Sequence, residues 1–125
     1  MPVNTEIQIL ASAARTATAI GADVENDDFK GVLCILDITV VPGVDTVQLV
    51  IEGKDPVSNK YFTLSQDAAQ VGIGTRTVLV YPGASDGGGF ISAENGVPLP
   101  ETWRARVVHV GVGSFTYSLG AIHLI

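Results

Sequence analysis

Cysteine is nearly absent from this chain: Cys34 is the only one in 125 residues. That rules out an intrachain disulfide and any zinc site built on several thiolates. Charge is also sparse, at 16% of residues, and positive charge is the scarcer kind, with seven Lys and Arg against thirteen Asp and Glu. A net charge of -6 disfavours nucleic acid as a partner, because phosphate binding needs clustered Lys and Arg. No polybasic segment offers itself to an anionic membrane either. No apolar run approaches the roughly 20 residues that cross a bilayer. The opening, MPVNTEIQIL, lacks the basic and long apolar regions of a signal peptide. These absences predict a protein made and folded in a cytosol, with neither nucleic acid nor membrane as partner.

What is present is apolar and punctuated. Apolar residues make up 46% of the chain, and fourteen Gly and six Pro break it at short intervals. At this length one domain is expected, spanning residues 1–125. The clearest strand pattern is GVLCILDITVV, from Gly31 to Val41. Val32, Cys34, Leu36, Ile38 and Val40 share one wholly apolar face, which predicts contact with a core. Leu33 and Ile35 on the other face suggest a central strand partly covered on both sides. Thr46–Lys54, Tyr61–Leu64, Thr75–Tyr81, Glu101–Val110 and Ser114–Leu119 alternate in the same way, and the apolar tail AIHLI continues the last of them. Ala11–Ile20 has too few large apolar side chains for a helical stripe, so it reads as an extended edge segment. Residues 1–20 are thus expected to form an N-terminal arm or edge strand. Ser65–Gln70 has room for one helical turn, and Ala84–Pro100 reads as a long Gly-rich loop. The expected fold is all-β: a single-domain antiparallel β-sandwich, jelly-roll-like.

Candidate chemistry is thin. In IEGKDPVSNKYFTL, Asp55, Ser58 and Asn59 could offer oxygens to calcium, but one carboxylate between Lys54 and Lys60 is a poor cation site. A hairpin turn explains the stretch. The run Asp23, Glu25, Asp27, Asp28 lacks the glycine and the terminal glutamate of a calcium loop, and reads as a solvated loop. Asp86-Gly87-Gly88-Gly89 has no following Lys-Ser or Lys-Thr for phosphate. His109 and His123 sit in strand-like sequence without a nucleophile context. Tyr61, Tyr81, Trp103 and Tyr117 fall at strand positions consistent with inward packing, which leaves no obvious sugar-stacking platform. The residues therefore point to no catalytic site, no metal site and no cofactor. Contact candidates are Arg15, Thr16, Thr18 and Ile20 in the N-terminal segment, with Phe90 and Ile91 as apolar residues in the Gly-rich loop.

The order of segments SAARTAT, KGVLCILDIT, PGVDTVQLVIEGKDPVSNKYFTL, TVLVYPG and PLPETWRARVVH resembles small structural proteins of tailed bacteriophages, often encoded among the head genes. The resemblance covers nearly the whole chain. It implies a capsid decoration (cement) protein on the outer head surface. The major capsid protein and further copies of itself would be its partners, a trimer being the simplest assembly. Location in the virion, after assembly in the host cytoplasm, follows from the same resemblance. The alternatives are a carbohydrate-binding or adhesion module of a phage fibre or tail, and a tail or connector structural protein.

Overall fold

A computed structural model of the chain describes residues 3–85 and 91–125, and every regular element among them is a strand. In chain order these are β1 (Thr5–Arg15), β2 (Ala19–Ile20), β3 (Val24–Glu25), β4 (Gly31–Val40), β5 (Thr46–Lys54), β6 (Tyr61–Gln66), β7 (Gly74–Val80), β8 (Ala93–Asn95), β9 (Thr102–Val110) and β10 (Phe115–Leu124). Their pairing is nested. β5 turns back on β6, β4 pairs with β7, β2 and β3 pair with β9, and β1 pairs with β10. This is one long antiparallel hairpin. Rolling it up lays β10 against β4 and β9 against β5, which closes two sheets. The first has the order β1-β10-β4-β7-β8, and the second β2-β9-β5-β6 with β3 also on β9. That connectivity is a jelly roll, and the molecule is a single-domain β-sandwich.

Alternation along the central strands builds the core between the sheets. Val32, Cys34, Leu36 and Ile38 of β4 face Val47, Leu49 and Ile51 of β5 and Trp103, Ala105 and Val107 of β9, all essentially inaccessible. Phe115, Tyr117 and Leu119 of β10 complete it. Burying a side chain of this size contributes about 1.5–3 kcal/mol each, so these three strands and β10 hold the fold.

Four expectations need correction. Val40 continues the apolar alternation of β4 but is exposed, because the strand ends there and the sheet above it has run out. Ser65–Gln70 makes no helical turn: β6 runs to Gln66, and Gln70 bridges back to Val47. The Gly-rich stretch is not all loop, since Ala93–Asn95 form β8, which lies parallel to β7. Tyr61 is not a core anchor; it lies on the outer face of the second sheet, under Arg104.

The roll has two ends. Connections 16–18, 41–45, 67–73 and 111–114 meet at one, where Thr46 pairs with Val110 and Ile38 with Gly74. Connections 21–30, 55–60 and 96–101 meet at the other, with Asn4 bonded to the Ile125 amide.

Candidate interaction surfaces

β1 is the long edge strand of the first sheet, and among the described residues it pairs only with β10. Ile7, Ile9 and Leu10 pack on the core, whereas Thr5, Glu6, Gln8 and residues 11–14 are exposed. Its register against β10 slips between Gln8 and Leu10 and again between Leu10 and Ala13. Such bulges break up the hydrogen-bond ladder locally. A shallow depression of about 360 Å³ lies over the first slip, lined by Glu6, Ile7, Gln8, Leu10, Ser118 and Gly120. Arg15 occupies the second. Its guanidinium donates to the carbonyls of Ala11 (2.6 Å), Ala13 (3.3 Å) and Tyr117 (2.8 Å), and lies 4.8 Å from the centre of the Tyr117 ring. A side chain so engaged supports its own strand.

The other sequence candidates are not brought together. Thr16 is exposed, and the Thr18 hydroxyl accepts from the His109 amide at 3.0 Å. Ile20 is exposed on β2, opposite Arg106. Ile91 is half-buried beside β7, at the edge of the first sheet opposite β1, and Phe90 lies outside the described residues.

A charged network on the outer face of the second sheet was not picked out from the sequence. The Arg104 Nε donates to Glu52 at 2.8 Å, and the Arg106 Nε lies 3.2 Å from the other oxygen of the same carboxylate. The Arg104 guanidinium stacks 3.4 Å from the centre of the Tyr61 ring. The Tyr61 hydroxyl donates to Asp23 at 2.6 Å, and Lys54 donates to the same carboxylate at 3.0 Å. The Tyr61 hydrogen bond, followed by that of Lys54, holds the Asp23 carboxyl below its usual range. The available signal was the outward alternation of Arg104 and Arg106. It became a network only once β5 placed Glu52 opposite Arg104.

Both histidines join the two sheets. Trp103 Nε1 of β9 donates to His123 Nε2 of β10 at 2.9 Å, in a fully buried contact. Phe29 stacks on the His123 ring with centroids 4.8 Å apart. At the other end, His109 Nε2 of β9 lies 2.7 Å from the Tyr117 hydroxyl of β10. His109 Nδ1 is buried and has no hydrogen-bond partner among the described residues. Burial lowers the pKa of both imidazoles, with Arg15 adding to the effect on His109 and Asp27 opposing it on His123. Burial also raises the Tyr117 hydroxyl to about 12 and pushes the Cys34 thiol up, so both stay protonated.

Parts of both acidic stretches are engaged within the chain, while Asp27 and Asp28 are exposed. Asp55 accepts from the Val57 amide and the Ser58 hydroxyl, closing the turn, and Asn59 adopts a positive φ of 60° that Asn tolerates. Asn26, amid the acidic run, ties Phe29 and Leu99 through its amide. Glu25 accepts from Thr102. No protein-family model matches the chain, and no curated protein matches it.

Proposed function

We propose that this chain is a non-enzymatic structural component of a bacteriophage virion: a capsid decoration protein on the outer head surface, in contact with the major capsid protein and with copies of itself. The observation that carries the reading is β1. It is eleven residues long, sits at a sheet edge and shows an exposed Ala-rich half. An edge strand presents unpaired N–H and C=O groups, which a strand from another chain can complete. The phage-like order of segments supports the virion. The net charge of -6 supports an outer position, since packaged DNA would repel it. The jelly roll itself argues for no function, because one fold serves many. The mechanism is mass action. A protein that binds the assembled shell, and not its separated subunits, stabilises the shell by about 2.7 kcal/mol per site at a hundred times Kd.

The test places lysines on the exposed positions of β1, at Gln8, Ser12 and Ala14, and measures circular dichroism and co-sedimentation with purified shells. The fold should survive and shell occupancy should fall. Deleting residues 1–20 is blunter, because Ile7, Ile9 and Leu10 also cover the core. Undiminished occupancy of the lysine variant removes β1 as the contact. A native chain that ignores shells and binds glycans replaces this reading with adhesion.

A further inference from the structure

We propose that His123 is a proton-operated latch: in mild acid its ring leaves Trp103 and frees residues 26–30 from the end of the sandwich, while both sheets stay paired. The ring sits between two aromatic side chains. Trp103 of β9 meets it edge-on, with centroids 5.5 Å apart, and donates its indole N–H at 2.9 Å. Phe29, half-buried in the connection between β3 and β4, stacks on it with the two planes inclined by 22°. This contact works in one protonation state. The indole has a donor and no acceptor, so His123 Nε2 must keep its lone pair. A proton there sets two N–H groups against each other in a site that is 3% exposed, and the phenyl face of Phe29 supplies no lone pair. At the other end the Tyr117 hydroxyl can accept from a protonated His109, so that contact is no latch.

The charges around the ring decide where an imidazolium goes. On β9, Arg104 points outward to Glu52 and Tyr61. On β1, Thr5 lies opposite His123 and Glu6 points to the other face; on β4 the neighbour is Val32. Tyr81, beyond β7, donates to the Ile125 oxygen, and Glu25 of β3 is bonded to Thr102. Asp28, Lys30 and Glu101 are exposed. Asp27 acts on the ring and favours its charged form, so its carboxylate draws the imidazolium out from under Phe29. Residues 26–30 can follow, because β3 and β4 on either side are held by their own strand partners. Between those strands the Lys30 amide is bonded to Leu124, next to His123, and the Asn26 amide to Glu101. The closed form binds a proton more weakly than an open form with a solvated imidazole, so falling pH shifts the population toward the open one. The latch is fully closed above about 6.5 and opens as pH falls from there toward the lower pKa of the buried ring. This inference is independent of the virion reading.

Trp103 is the only tryptophan, so its emission reads the latch directly. Titrating the full native chain from about pH 7.5 to about pH 5, without denaturant, should give one reversible emission step. Far-ultraviolet circular dichroism should stay constant across it. His123→Gln, whose amide oxygen still accepts from the indole, should abolish the step. Asp27→Asn should move its midpoint to lower pH, and His109→Gln should leave it in place. Hydrogen exchange of the native chain needs no variant. At the acid end, protection should fall at the Asn26, Phe29 and Lys30 amides and persist along β5 and β9. A flat emission profile overturns the proposal. So does a step that survives in folded His123→Gln, stays put in Asp27→Asn, vanishes in His109→Gln or coincides with loss of protection throughout.

Discussion

At one end of the sandwich His123 of β10 takes a hydrogen bond from Trp103 of β9; at the other, His109 of β9 meets the hydroxyl of Tyr117 of β10. The device is the same: an imidazole from one sheet and an aromatic from the other. The chemistry differs. An indole N–H can only donate, so His123 Nε2 must accept, and the ring is held neutral with its proton on Nδ1. A phenol can donate or accept, so the Tyr117 contact does not fix the His109 tautomer, and its Nδ1 has no partner among the described residues. The surfaces diverge too, acids and lysines outside the first pin and bare valines outside the second. With the sheets tied at both ends, neither surface has to hold the fold, and each can differ.

The largest effect is expected at the Trp103 pin. Trp103→Ala removes a side chain of zero exposure and should cost about 3–5 kcal/mol in urea unfolding. A small loss would mean that this end does not rest on the indole. Next come the histidines themselves. His123→Leu strands a buried indole N–H and should cost about 1–3 kcal/mol. His109→Leu also strands a group, the Tyr117 hydroxyl, but it removes a buried nitrogen that has no partner among the described residues, and should cost less. Equal urea midpoints for the two variants would erase the difference between the ends.

Acid should probe the same contrast more gently. Both imidazoles have folded pKa values below the ordinary 6.5, so the unfolded chain binds more protons below that pH. Stability is therefore fully present above about 6.5 and is lost as pH falls through the folded pKa values. Protonation of His123 sets two N–H groups against each other, so this site should account for most of the loss. Urea midpoints measured from pH 7.5 down to 5 should fall for the native protein and fall less for His123→Gln, whose amide oxygen can still accept. An unchanged pH slope in that variant would place the proton elsewhere.

These pins were hidden in the sequence, although the strands that carry them were plain. The alternation of β4, β5 and β9 placed Trp103, Ala105 and Val107 on one inward face, and the structure buries all three. The Ala-rich segment read as one extended edge because it lacks a helical stripe; residues 11–15 form the second half of β1, but after 16–18 the chain crosses to the other sheet as β2. Alternation says which way a side chain points, but not what lies across from it. His109 and Tyr117 are eight residues apart and Trp103 and His123 twenty, yet each pair meets only because β9 and β10 enter different sheets. The Glu52 network was hidden for the same reason. β8 escaped notice because three residues are too few to show a period, and its parallel pairing with β7 leaves no hairpin signature.

The smallest effect on stability is expected from Asp45→Asn. The residue has a positive φ of 68°, a conformation that Asn adopts as readily as Asp. The amide oxygen can still accept from Gly113, so the turn survives and unfolding should change by less than about 1 kcal/mol. A larger drop in the urea midpoint would show that the charge of the carboxylate, and not its acceptor oxygen alone, holds the β4–β5 connection to Gly113.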